Sequence, residues 1–155
     1  MRQIEGDFIA PQQQIAIVAA RFNGLIVDPL IQGAQDMLLR HQVNPAKIDL
    51  VRVPGALELP LICQQLANTG RYQGIIALGA VIRGATSHYD VVVNNCANHL
   101  VQVSLASQVP IILGVLTTET VAQALERAGT KAGNKGADAA LALLETMNVV
   151  VKING

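Results

Sequence analysis

Short, continuous runs of apolar and largely β-branched residues alternate along this chain with segments whose apolar positions recur at helical spacing. Residues 15–20 (IAIVAA) read as a buried strand. Asp28 followed by Pro29 offers an N-cap and a proline suited to the first helical position, which predicts a helix from there to about Gln42. Residues 48–53 form the next strand. After Pro54 and Gly55, residues 57–68 read as a helix, with Pro60 tolerable only in its first turn and Gly70 as a stop. Residues 75–78 give a third strand and a polar loop follows. Ser87, with Asp90 three positions on, resembles a capping box opening a helix to about Ser107. Residues 111–116 are the fourth strand, Thr120 with Gln123 starts a helix that Gly129 ends, and a last helix runs over 135–147. Residues 149–153 fit a strand or a continuation of that helix.

Strand and helix alternating through one short chain predict an α/β fold, a three-layer αβα sandwich around a four-stranded parallel sheet. The strands are apolar throughout, as strands covered on both faces are. Residues 4–9 are less regular and read as an edge strand that, on leaving its own subunit, would pair with a neighbour's sheet. No internal repeat, linker or low-complexity tract divides the chain, so residues 1–155 are expected to form one domain.

Composition changes the picture in one respect. Of the 155 residues 51% are hydrophobic but only 14% charged, against about 25% charged in ordinary domains. A lone globule would be short of polar cover, so buried subunit interfaces are expected. A membrane span would need about 18 consecutive apolar residues, and the longest runs stop at Arg83 and at Thr117. Eleven basic against eleven acidic side chains and only four aromatics argue against a nucleic-acid partner, which needs a cationic surface and stacking rings. The first residues carry no secretory signal, and Cys63 and Cys96 lack the spacing of a metal site or a disulfide framework. The expectation is a cytoplasmic chain with two free thiols, no metal and no cofactor.

Ligands of parallel α/β sheets bind beyond the carboxyl ends of the strands, which directs attention to residues 21–24, 54–58 and 79–90 and to the turn after Leu116. The glycines there spell no G-x-G-x-x-G. The segment 129–136 resembles a P-loop only loosely, because Asn134 breaks its Gly-Lys pair and no Ser or Thr follows the lysine. Residues 84–90 place small residues, hydroxyls and His88 where a strand passes into a helix. Free amides at such a start bind phosphate or carboxylate, and a histidine beside them can carry protons near neutral pH, although it can equally serve a backbone hydrogen bond. Arg127 and Lys135 flank a glycine-rich turn and form either an anion clamp or ordinary surface charge. Phe22 directly follows a strand, where it stacks on a planar ligand or packs in the core. Glu58 has a helix-dipole role as its alternative. His41 and His99 lie within helical stretches and read as structural.

Five separated blocks then point the same way: residues 20–23 (ARFN), 53–60 (VPGALELP), 78–84 (LGAVIRG) with 86–89 (TSHY), 114–119 (GVLTTE) and 126–136 (ERAGTKAGNKG). In order and spacing they resemble lumazine synthase, the penultimate enzyme of riboflavin biosynthesis, over nearly the whole chain. The resemblance implies condensation of 5-amino-6-(D-ribitylamino)uracil with 3,4-dihydroxy-2-butanone 4-phosphate to 6,7-dimethyl-8-ribityllumazine, phosphate and water, without a cofactor. It implies that Phe22 stacks on the pyrimidine, with Asn23, Ala56, Leu57, Glu58, Ala80, Val81, Ile82 and Leu113 completing the aminouracil site. Ala85 and Thr86 would bind phosphate by their amides, with Arg127 and Lys135 as cationic partners, and His88 would transfer protons. Family members often carry aromatics at the positions of Leu57 and Leu113, which alters the contact at the ring edge. The resemblance also implies homopentamers with sites shared between adjacent subunits, Phe22, the Ala56 turn and His88 from one side and Leu113, Arg127 and Lys135 from the other. The uninterrupted 129–136 turn resembles members that close twelve pentamers into a 60-subunit shell, and riboflavin synthase is a possible partner within it. The alternatives are the related archaeal-type riboflavin synthase, which the 84–89 and 126–136 blocks match less well, and a non-catalytic flavin carrier or shell protein.

Overall fold

The computed structural model describes all residues from Met1 to Gly155. Four parallel strands, β1 (Ile15–Ala20), β2 (Ile48–Val53), β3 (Gly74–Ile82) and β4 (Ile111–Thr118), form one sheet in the order β2-β1-β3-β4. The helices are α1 (Gly24–Arg40), α2 (Leu59–Asn68), α3 (His88–Ser107), α4 (Val121–Glu126) and α5 (Lys135–Asn154), and a small antiparallel hairpin joins β5 (Ala128–Thr130) to β6 (Gly133–Asn134). The α/β sandwich expected from the alternating pattern is therefore present.

Period-two geometry distributes the apolar strand residues to two cores. Ile15, Ile17 and Ala19 of β1, with Ile76 and Leu78 of β3, pack with Leu30, Ala34 and Leu38 of α1 and Leu143 and Leu144 of α5. The alternate residues Ala16 and Val18, with Ile75 and Ala77, meet Leu59 and Cys63 of α2 and Cys96 and Leu100 of α3 on the opposite face. Every residue of the interior strand β1 is buried. The edge strand β2 departs from the continuous apolar pattern: it carries Asp49 and Arg52, and Leu50 is exposed.

Several boundaries differ from the sequence reading, each for a physical reason. Helix α1 begins at Gly24, not after Asp28, because Asn23 takes a left-handed conformation (φ 60°) and its carbonyl accepts from Ile26 and Val27 at 2.9 and 3.0 Å. Pro29 thus lies inside the helix. Strand β3 continues through Gly79–Ile82 and β4 through Thr118, because the two pair in register as far as Ile82 and Thr118. The capping box at Ser87 does not form: the serine side chain caps nothing, and the Asp90 carboxylate faces Arg83 instead. Thr120 does cap α4, accepting from the Gln123 amide at 3.1 Å. Helix α5 absorbs residues 149–153.

Residues 4–9 form no strand within this chain. They lie along the last turns of α5, where Asn148 donates to the carbonyls of Asp7 and Ile9 at 2.8 and 3.2 Å and Lys152 to that of Glu5 at 2.7 Å. No helix is long and apolar enough to cross a membrane.

Candidate active site

The ends of β1, β2 and β3 open into a cleft of about 520 Å³. The chain leaves β1 through Arg21, whose amide donates to Val53 at 2.8 Å, and Phe22, whose amide donates to Pro54 at 3.1 Å. These two bonds carry the β1–β2 pairing past the last strand residues and set the Phe22 ring at the cleft mouth, 72% exposed. Asn23 then turns back, and its side-chain amide donates to the Ala80 carbonyl at 2.8 Å, tying the β1 loop to β3.

On the β2 side the chain runs through Pro54 and Gly55 into a single 3₁₀ turn, Ala56–Glu58, before α2. Ala56 is buried, while Leu57 and Glu58 are exposed to the cleft. Ala80, Val81 and Ile82, at the end of β3, line it as well. Thr86 and His88 complete the rim, where the His88 amide donates to the Thr86 hydroxyl at 3.3 Å. The amides of Ala85 and Thr86 donate to no protein acceptor. They precede the 20-residue helix α3, whose N-terminus adds positive potential to the same spot. Gly84, Tyr89 and Val92 also line the cleft; the sequence reading gave them no role, as nothing in their type marks them.

Leu113, Arg127 and Lys135 are not in this cleft. They share a second hollow of about 400 Å³ with residues 114–118 of β4 and with Asp138, Ala139 and Ala142 of α5. It lies along the free edge of the sheet, since β4 pairs only with β3. Leu113 is 43% exposed there. Arg127 is steered by its own helix, donating to the Gln123 carbonyl at 2.9 Å, with Glu126 3.9 Å away. Lys135 is the first residue of α5, 3.6 Å from Asp138. The chain thus gathers Phe22, Asn23, residues 56–58, residues 80–82, Thr86 and His88 on one side, and Leu113, Arg127 and Lys135 on another.

These two hollows lie on a chain whose similarities are specific. The sequence profile of 6,7-dimethyl-8-ribityllumazine synthase matches residues 12–151. The chain belongs to that family. A 6,7-dimethyl-8-ribityllumazine synthase of Nitratidesulfovibrio vulgaris (strain DSM 19637 / Miyazaki F) is 52% identical over 153 residues, which covers 99% of this chain and 98% of that protein. Within this lumazine synthase scaffold two further residues stand out that the sequence did not reveal. Asn134, noted only as the interruption of a P-loop-like pattern, caps α5: its Oδ1 accepts from Gly136 and Ala137 at 2.8 and 3.1 Å while its Nδ2 donates to the Pro29 carbonyl at 3.0 Å. Arg83 bridges two carboxylates. The Asp90 carboxylate, as hydrogen-bond partner, with Glu119 beside it, raises the guanidinium pKa above its ordinary value.

His41 and His99 each hydrogen-bond a carbonyl one helical turn back, Met37 at 2.8 Å and Asn95 at 2.7 Å. Cys63 and Cys96 are buried free thiols. Desolvation pushes Cys63 up to about 12, with Cys96 adding to it, and Cys96 up to about 11. Both are unsuited to nucleophilic work.

Proposed function

We propose that this protein is a lumazine synthase, joining 5-amino-6-(D-ribitylamino)uracil to 3,4-dihydroxy-2-butanone 4-phosphate to form 6,7-dimethyl-8-ribityllumazine, phosphate and water. Family membership over residues 12–151 carries the reading, and the cleft suits the chemistry. A planar pyrimidine stacks on the exposed ring of Phe22. Backbone groups of residues 56–58 and 80–82, with the Glu58 carboxylate and Asn23, hold the ring and ribityl chain. The free amides of Ala85 and Thr86 receive the phosphate.

The amine attacks the ketone and loses water to give an imine, phosphate is eliminated, and the ring closes with loss of a second water. Every step moves a proton. His88, beside the departing phosphate, serves as the proton-transfer group, while donors around the phosphate stabilise charge gathering on the leaving group. Holding both substrates together supplies part of the rate, because a well-oriented pair can gain roughly 7–11 kcal/mol in effective concentration.

The separation of Arg127, Lys135 and Leu113 from the cleft supports a site shared between chains. In this reading the edge of one subunit covers the open cleft of the next, in a homopentamer. The exposed apolar side chains Leu61, Val91, Val101 and Leu105 on α2 and α3 favour burial against neighbours. Residues 4–9, whose Ile4, Phe8 and Ile9 are exposed, would swing away to pair with a neighbour's sheet. The compact hairpin at Ala128–Asn134 favours closure of pentamers into a 60-subunit shell, with riboflavin synthase as a candidate guest, in a cytoplasmic setting. The whole chain acts as one domain.

The test is to mix both substrates with the purified protein and follow the absorbance and fluorescence of the lumazine. Product forms on this reading, and His88→Ala slows turnover more than it weakens binding. Absence of product would leave the flavin-carrier alternative. Sedimentation as a free pentamer would overturn the shell alone.

A further inference from the structure

Arg83 is the first residue after β3, and its amide adds one more rung to the sheet by donating to the Thr118 carbonyl at 2.9 Å. Its side chain does something no other ion pair of the chain does. Nε lies 2.8 Å from Glu119 Oε2, Nη2 lies 3.4 Å from Asp90 Oδ1, and the guanidinium carbon sits 4.3 Å from the centre of the Tyr89 ring. Asp90 and Tyr89 belong to the first turn of α3, directly after His88. Glu119 directly follows Thr118, which lines the hollow that holds Arg127. The remaining pairs join residues at most four apart in the chain, link Arg52 to Asp28, or tie Lys152 to Asp7.

Residues 84–87, with their free amides, are the short span between Arg83 and α3. One guanidinium therefore fixes both ends of that span: the near end through its own backbone, the far end through Asp90 and Tyr89. Such half-exposed pairs, with the Arg83 side chain 39% accessible, add little to global stability. Their geometric effect is larger, because a planar fork can meet two carboxylates while lying on a ring, and a lysine ammonium cannot. A misplacement of about 1 Å at such a site costs roughly 100-fold in rate in unfavourable cases.

We infer that Arg83 is a positioning residue of this site, holding the 84–87 amides and His88 in register by bridging the first turn of α3 to the turn after β4. The inference rests on the proposed roles of residues 85–88 and deepens them. It concerns phosphate recognition and proton transfer, not the aminouracil.

The experiment compares Arg83→Ala and Arg83→Lys with the parent as assembled proteins. Inorganic phosphate is the probe of the anion site, through its inhibition constant. Arg83→Ala weakens phosphate inhibition and raises KM for the butanone phosphate, each about tenfold, and lowers kcat. Aminouracil affinity stays within about twofold and sedimentation is unchanged. Arg83→Lys falls between, and guards the test should the alanine variant fail to assemble. Placed on His88→Ala, the Arg83→Ala change costs little further kcat, because the group it aligns is already gone. Unchanged phosphate inhibition, or an equal loss of aminouracil affinity, overturns the inference. If His88→Ala alone leaves the rate intact, the proton-transfer reading fails instead, and the phosphate measurement still decides the role of Arg83.

Discussion

Asn134→Ala removes a side chain that joins two distant parts of the chain. Its Oδ1 holds the amides of Gly136 and Ala137, and its Nδ2 holds the Pro29 carbonyl in the interior of α1. The helices come close enough here that a Cβ at Gly33 would strike the Asn134 amide and one at Gly136 would strike the Leu30 carbonyl. Loss of an N-cap costs about 1 kcal/mol, and loss of a half-buried hydrogen bond about 1 kcal/mol more. The sum of about 2 kcal/mol lowers the melting temperature of a chain this size by roughly 4–8 °C. Asn134→Asp separates the two parts. It keeps the acceptor at the helix start, where negative charge is favourable by about 0.3–1 kcal/mol, but cannot donate to Pro29, so its loss is half as large or less. The assay is thermal unfolding by circular dichroism at one fixed chain concentration, since assembly shifts apparent stability. Amide exchange at the start of α5 accompanies it and rises in the alanine variant. A melting temperature within ~1 °C of the parent for Asn134→Ala, or equal damage from both variants, would refute the double role.

Two further expectations follow from the site and the core. Phe22→Ala weakens aminouracil binding about 5- to 10-fold, the equivalent of roughly 1 kcal/mol of stacking, and leaves the melting temperature unchanged because the ring is exposed; unaltered affinity in a fluorescence titration would remove Phe22 from the binding site. Cys63 and Cys96 are raised by burial from 9.0 to about 12 and about 11, so the folded state favours the neutral thiols. Their contribution is complete below about pH 9 and is lost as pH rises towards 12. Thermal midpoints should fall over that window, less steeply in Cys63→Ala, and rapid thiol labelling of the native protein at pH 8 would contradict the burial.

Much of the fold was legible because burial leaves a plain record. β1 is covered on both faces and reads IAIVAA, and the turn residue Gly70, at φ +72°, stops α2 as its position suggests. What escaped the sequence depends on contacts between distant segments. Asp28-Pro29 imitates a helix start, but the real one is set by the left-handed backbone of Asn23, whose side chain is tied across to Ala80. Residues 79–82 open with Gly79 and Ala80 and run into the polar 83–90 segment, and 117–118 are two threonines; pairing of Gly79–Ile82 with Val115–Thr118 keeps both in the strands. Residues 149–153 are β-branched except for Lys152 and ambiguous alone, and the N-terminal arm lying on α5 accompanies their helical state.

The site shows the same division. Motif blocks pointed to its candidate residues, but spacing along the chain holds no record of which side of the sheet each one faces. The division of Arg127, Lys135 and Leu113 from Phe22 and His88 is implied by the family resemblance alone, and within this chain the two groups do line different hollows. The roles of Arg83 and Asn134 are not legible in the sequence, because an arginine after a strand and an asparagine among glycines are common and their partners lie elsewhere in the chain.

On the proposed function, one working site needs both hollows, taken from adjacent chains. Two variants test it directly: Phe22→Ala/His88→Ala, which damages only the first hollow, and Arg127→Ala/Lys135→Ala, which damages only the second. Each is unfolded, the two are mixed in equal amounts and reassembled, and lumazine formation is measured. In a ring of head-to-tail contacts about one quarter of the sites then combine two intact halves, so the mixture should recover about a quarter of the parent rate. Activity no higher than the mean of the two separate variants would contradict the shared site.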